Sequence, residues 1–143
     1  MARGSTREPM SGEGGGAAAG SRQVLIVEDD AFVRHALQRL LTWDGCRCLS
    51  ATTVEAARDL LGRGDPALVI TDLNLGGSLD GIDLLRWMRL SPRLRSVPML
   101  LMTGDDRGDT RHRLDRVGLA DVDILSKPFE QEAIAALAAR FAG

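Results

Sequence analysis

Four short stretches carry side chains that could act together on a phosphorus or metal centre: Glu28-Asp29-Asp30, Asp72, Thr103-Gly104 and Lys127-Pro128. Each follows directly on an apolar run, so each falls at the end of a candidate strand. Asp72 is the pivot. It closes Ala67-Leu68-Val69-Ile70-Thr71, which is bounded by Gly64-Asp65-Pro66 and Gly76-Gly77-Ser78 and reads as a buried parallel strand. A carboxylate held there costs free energy unless a cation or hydrogen-bond donors meet it.

Strand ends on one edge of a parallel sheet lie about 5 Å apart per strand step. Glu28, Asp29 and Asp72 would then repel one another and raise each other's pKa. A hard divalent cation relieves this, and Mg2+ fits best: it takes oxygen ligands, keeps several waters, and binds through one or two carboxylates plus a phosphate oxygen. The two His residues lie away from these ends and no Cys sits there, which argues against a transition metal. The same set suits phosphoryl transfer, which needs positioning and charge neutralisation more than covalent help. Asp72 can be the nucleophile, forming an aspartyl-phosphate. Lys127 and the metal can neutralise the equatorial oxygens, the Thr103 hydroxyl can donate to one of them, and Gly104 leaves room for the incoming group.

The elements that must position these residues alternate strand and helix. Val24-Leu25-Ile26-Val27 reads as a fully apolar strand. A helix follows, with Val33, Ala36, Leu37, Leu40 and Leu41 on one stripe, Asp30 to cap its start and Gly45 to end it. Cys46 to Ser50 alternates and reads as an edge strand. Thr53 or Thr52 caps a helix with Val54, Ala57, Leu60 and Leu61 inward, stopped by Gly62 and Gly64. After the Asp72 strand, Asp80 precedes a helix with Ile82, Leu85 and Met88 inward, ended by Ser91-Pro92. Pro98 to Met102 is the fourth strand. Residues 105–117 read as a helix with few apolar anchors, Leu114 and Val117, and are expected to be the most mobile part. Val122 to Ser126 is the fifth strand, and Ala133, Ile134, Leu137 and Phe141 mark a last amphipathic helix. Five strands alternating with five helices imply an α/β three-layer sandwich of flavodoxin-like (βα)5 type, with a five-stranded parallel sheet in the order 2-1-3-4-5. Sites in such sheets lie beyond the carboxyl strand ends, where the order reverses.

Composition sets bounds. The chain has 143 residues, enough for one domain with a real core, and no apolar run approaches a membrane span. A net charge of -2 gives no general pull toward nucleic acid or anionic lipid. Of the 18 basic residues all but Lys127 are Arg, so that single Lys is informative. Cys46 and Cys48, two apart on one face of a strand, cannot bridge each other, and no further Cys supplies a disulfide framework or zinc set. A reducing, cytoplasmic setting follows. Residues 1–22 are rich in Gly, Ala, Ser and charge, read as a disordered tail, and lack the apolar stretch of an export signal; the folded unit is expected over 23–143.

With "VLIVEDD", "LVITDLNL", "DGIDLL", "PMLLMTG" and "LSKPF" in this order, the sequence resembles a response-regulator receiver domain of two-component signalling, of the single-domain type, over about 23–142. The resemblance implies that Asp72 is the phosphoacceptor. Asp29 would bind Mg2+ directly, Glu28 would act through water, and the backbone carbonyl of Asn74 would be a third protein ligand. Thr103 would be the switch hydroxyl and Lys127 the phosphate-pairing lysine, with Lys127-Pro128 often cis. Asn74 and Asp105 are positions that tune water access to the site. The implied partner is a sensor histidine kinase or histidine phosphotransfer protein. With the chain ending at Gly143, the expected output is protein–protein contact through residues about 105–141, without nucleic acid, membrane or turnover of a separate substrate.

Three features depart from the family pattern. The loop Leu75-Gly76-Gly77-Ser78-Leu79-Asp80-Gly81 is one residue longer than usual and lacks its proline, which should loosen it. Ile124 stands where an aromatic is usual, and the chain has no Tyr. The segment from Gly118 to Lys127 is about two residues longer. Ile124 keeps open the alternative of a receiver-like interaction module that takes no phosphate. Other readings fit less well. A phosphatase with an aspartyl intermediate wants a second Asp two residues after the nucleophile, and position 74 is Asn. A flavodoxin-type flavin site lacks its phosphate-cradling loop, and a kinase lacks a glycine-rich loop beside a catalytic lysine.

Overall fold

The runs read as strands above assemble into one sheet in a computed structural model that describes residues 22–43 and 45–142. The elements in chain order are β1 (Arg22–Val27), α1 (Ala31–Trp43), β2 (Cys46–Ala51), α2 (Val54–Leu61), β3 (Leu68–Asp72), α3 (Gly81–Arg89), β4 (Met99–Thr103), α4 (Arg107–Arg116), β5 (Asp123–Ser126) and α5 (Gln131–Ala142). All neighbouring strands are parallel, in the order β2-β1-β3-β4-β5. The first strand starts at Arg22, one residue inside the stretch read as tail; the rest of that tail lies outside the described residues.

Why the strands lie so follows from their side chains. β3 and β4 are buried at every position, as strands covered on both faces must be. β2 mixes buried Cys46 and Ala51 with exposed Arg47, Leu49 and Ser50, and occupies an edge. The period of two splits the core. Val24, Ile26, Leu68, Ile70, Leu100 and Met102 pack with Leu37 and Leu41 of α1 and Ile134 of α5. Leu25, Val27, Val69, Met99 and Leu101 pack with α2, α3 and Leu114 of α4.

Helix starts are fixed by the caps that the sequence offers. The Asp30 carboxylate accepts from the Phe32 and Val33 amides at 2.8 and 3.3 Å. Thr53 caps α2 through the Ala56 amide. Asp80 and Asp83 cap α3 reciprocally, each carboxylate accepting the other's amide. Gly45, at φ 88°, turns the chain out of α1.

Two details correct the sequence reading. Leu84 is buried along with Ile82, Leu85 and Met88, so α3 hides a wider stripe than one 3.6-residue row. On α5 Ile134 is buried but Ala133 is exposed; the side chains of Leu137 and Phe141 lie outside the described residues. The weakly apolar stretch after β4 does form a helix, with only Thr110 and Leu114 buried. Arginines attach it instead. Arg107 donates to the Ile124 carbonyl at 3.0 Å, and Arg111 to the Val122 and Leu119 carbonyls at 2.8 and 3.1 Å. Arg113 pairs with Asp80 at 3.1 Å.

Candidate functional site

Register brings the strand-end residues together. Val27 pairs with Thr71, so Glu28 is level with Asp72. Asp72 pairs with Met102, and Thr103 with Ser126, so Thr103 and Lys127 follow one step further on the same edge. The Lys127 amide donates to the Thr103 carbonyl at 2.8 Å, which carries the β4–β5 ladder into the loop. The Lys127-Pro128 peptide is cis.

At this edge one ammonium meets two carboxylates. Lys127 Nζ lies 2.8 Å from Glu28 Oε1 and 3.1 Å from Asp72 Oδ2. The Glu28 side chain is 1% exposed, that of Asp72 8% and that of Lys127 23%. Oxygens of Glu28, Asp29 and Asp72 all lie within 4.8 Å of one another. Asp29 is the exposed member, open to solvent above two buried partners. Burial pushes the Glu28 carboxyl above its ordinary range; the Lys127 hydrogen bond works against this, and the charge of Asp72 adds to it. Burial pulls the Lys127 ammonium down, but its bonds to Glu28 and Asp72 outweigh that and hold it above its usual value. Three acids cluster beside one lysine that pairs with two of them, so the cluster carries excess negative charge in a pocket of hard oxygen donors. That donor set fits Mg2+.

The remaining expected residues fall around this cluster. Thr103 is fully buried, and its hydroxyl oxygen accepts the Asp105 amide at 2.9 Å. Its own hydroxyl proton is left to donate elsewhere. Asn74 lies exposed two residues past Asp72. The loop expected to be loosened is anchored by buried Leu75 at one end and by the Asp80–Arg113 ion pair at the other. Gly76, at φ 72°, brings the backbone so close to Asp29 that a Cβ would stand 3.2 Å from Oδ2. Ile124 is half-buried and packs on the core, with no ring in its place. The extra residues after Gly118 form a packed turn, with Leu119 and Val122 buried. His35 is exposed, away from the cluster. Burial pushes the Cys48 thiol up to about 11, which leaves it unreactive at neutral pH.

Sequence reasoning missed two neighbours of the site. Arg34, half-buried on α1, donates from Nη1 to the Glu28 carbonyl at 3.0 Å. Its only signal was a basic residue on the inner half of an otherwise apolar stripe. Phe32 is 85% exposed, and with Val33, Ala36, Lys127, Pro128 and Phe129 it lines an open groove of about 480 Å³. An aromatic in the turn after an acid cluster, off the apolar stripe, was the available hint.

Comparison with known proteins agrees with the geometry. The model of the response regulator receiver domain matches residues 24–139. The chain is 40% identical over 120 residues to the response regulator protein FleR of Pseudomonas aeruginosa, covering 84% of this chain and 24% of that protein. It is 32% identical over 114 residues to the transcriptional regulatory protein FixJ of Bradyrhizobium diazoefficiens, covering 80% and 53%. The chain thus spans between about a quarter and a half of these relatives' lengths. Among solved structures, a response regulator receiver protein from Pseudomonas putida is 30% identical with a TM-score of 0.74, covering 85% of this chain and 98% of that one. The chemotaxis response regulator CheY4 of Vibrio cholerae, 21% identical with a TM-score of 0.75 over 85% and 98%, shares the fold. Such domains are signalling modules that work with histidine kinases or phosphotransfer proteins and bind Mg2+ at an acidic pocket. No described helix is long and apolar enough to cross a membrane. By its sequence, its sheet order and the acids and lysine gathered at one edge, the chain belongs to the response-regulator receiver family of two-component signalling.

Proposed function

We propose that Asp72 accepts a phosphoryl group from a phosphohistidine on a sensor histidine kinase or histidine phosphotransfer protein, and that the chain signals in the cytoplasm through altered protein contacts around residues 105–141. The observation that carries this reading is the pairing of one lysine with both Glu28 and Asp72 inside a three-carboxylate cluster. Glu28, Asp29, Asp72 and the Asn74 carbonyl would hold Mg2+, which supplies positive charge to the transferring oxygens.

A free Asp72 carboxylate oxygen attacks phosphorus. The new O–P bond forms as the P–N bond to the donor imidazole breaks, and the bonding pair returns to the ring nitrogen. Lys127, already 3.1 Å from Asp72, pairs with the arriving oxygens and no longer has to serve two carboxylates alone. The Thr103 hydroxyl keeps its acceptance from Asp105 and donates its proton to a phosphoryl oxygen. Phosphorylation adds about -1.5 to -2 charge at this edge. Drawing Thr103 and Lys127 inward then biases α4 and β5, which Arg107 and Arg111 tie together. The groove lined by Phe32 and continuous with Lys127 supports this face as the one the phosphohistidine donor covers.

The test is incubation with phosphoramidate, read by intact mass. A gain of one phosphoryl group, dependent on Mg2+ and absent in Asp72→Asn, supports the reading. A folded wild type that gains nothing points to the interaction module that takes no phosphate.

A further inference from the structure

The geometry points to Arg34 as a positioning residue of the acidic pocket, one that sets the angle between the Glu28 and Asp29 carboxylates. This rests on the proposed reading of the pocket as a metal site.

Glu28 is tied at every polar atom. Its amide donates to the Ala51 carbonyl at 3.0 Å, Oε1 accepts from Lys127 at 2.8 Å, and Oε2 accepts from the Asp30 amide at 3.2 Å. Its carbonyl accepts from Arg34 Nη1 at 3.0 Å. That carbonyl belongs to the peptide joining Glu28 to Asp29. A peptide is planar, so holding its oxygen fixes both the last torsion of Glu28 and the first of Asp29. The bonds to Ala51, Lys127 and the Asp30 amide orient Glu28. Among the described hydrogen bonds none is made by Asp29 itself, and its carboxylate is exposed. Its direction is therefore set by the two peptides that flank it: the one before, whose oxygen Arg34 holds, and the one after, whose Asp30 amide donates to Glu28 Oε2.

Arg34 is well placed to hold the plane. Its own amide donates to the Asp30 carbonyl at 2.9 Å, closing the first turn of α1. The side chain reaches back past that turn, so the helix start and the strand end are clamped by one residue. The guanidinium also brings positive charge to a cluster of acids. A charge-only role and a positioning role predict opposite signs: loss of a nearby cation should tighten divalent-metal binding, whereas loss of a peptide anchor should weaken it.

Calorimetric titration of Mg2+ into wild type, Arg34→Met and Arg34→Lys, with thermal melts of each in EDTA, separates them. Positioning predicts that Arg34→Met binds Mg2+ about tenfold more weakly, as loss of outer-sphere partners commonly does. The metal-free melt should fall by only about 2–5 °C, as for one lost hydrogen bond, and Arg34→Lys, with the charge and one donor kept, should recover part of the affinity. If Arg34→Met does not fold, Arg34→Gln is measured against the same criterion. A folded variant that binds Mg2+ as tightly as wild type, or more tightly, overturns the inference. Wild type that binds no Mg2+ overturns the metal-site reading itself, and the inference with it.

Discussion

Gly81 opens α3 at the point where that helix meets the back of the strand that ends in Asp72. A Cβ built there would stand 2.2 Å from the Asp72 carbonyl oxygen, 3.1 Å from its carbon and 3.0 Å from Leu101 Cδ1. Gly81→Ala therefore sets two effects against each other. Alanine is favoured over glycine inside a helix by about 1 kcal/mol. Against that, the nearest obstacle is backbone in a strand buried on both faces, not the end of a flexible side chain. The helix start must move by roughly 1 Å, while the Asp80–Asp83 capping pair and the Gly81 amide's 2.9 Å bond to the Leu73 carbonyl hold it in place. Forcing extra volume into packed interior costs about 1–3 kcal/mol and sometimes more. With backbone as the obstacle the cost falls in the upper part of that range and the steric term wins, with a net loss of about 1–2 kcal/mol and a drop in melting temperature of roughly 3–10 °C. Urea unfolding in EDTA reads the loss as a lower midpoint at unchanged slope. Gly77→Ala is the control, since nothing lies within 4 Å of its added Cβ. A Gly81→Ala protein as stable as wild type would refute the reasoning, and so would a loss matched by Gly77→Ala.

Further outcomes are expected at the site and on α4. The raised Glu28 carboxyl means that the fold holds its proton to higher pH than the unfolded chain does. Metal-free stability should therefore decline as pH rises from about 4.5 through the folded value, and Mg2+ should reverse the decline; melts with and without EDTA check this. Lys127 has a dependence of the same sign at higher pH. Its stabilisation is full below 10.5 and is lost as pH rises through its higher folded value, so Lys127→Met should flatten that part of the alkaline loss in melts followed across the range. Arg111→Ala removes two bonds to the carbonyls of Leu119 and Val122 and should cost about 1–2 kcal/mol, with faster amide exchange over residues 107–127. Phe32→Ser should slow phosphotransfer from a phosphohistidine donor while leaving phosphorylation by phosphoramidate unchanged, because the ring is exposed and only the protein donor would cover it.

The strands and their ends were legible because burial on both faces leaves continuous apolar runs, and the residue that breaks each run is the one at the edge. Val27-Glu28, Thr71-Asp72 and Met102-Thr103 mark such breaks, Lys127 ends the half-exposed edge strand beside them, and the register sets all four side by side. Asp30 and the Thr52–Thr53 pair were readable as caps because a short polar side chain before an apolar stripe has few other uses. What stayed hidden depends on long polar side chains reaching across space. Hydropathy gave α4 little beyond Leu114 and Val117 to dock with; Arg107, Arg111 and Arg113 add carbonyl bonds and an ion pair that no apolar pattern shows. Arg34 hides for the same reason, as its partner is a backbone oxygen that no residue pattern encodes. The close approach of Gly81 to Asp72 is likewise a matter of packing between elements.

The central claim is that Asp72, and neither of its acidic neighbours, carries the phosphoryl group. Borohydride reduction of the phosphorylated protein converts an aspartyl-phosphate to homoserine, and peptide mapping locates it. The account predicts homoserine at position 72, formed only when Mg2+ was present during phosphorylation. A reduced residue at Glu28 or Asp29, or labelling indifferent to Mg2+, would contradict it.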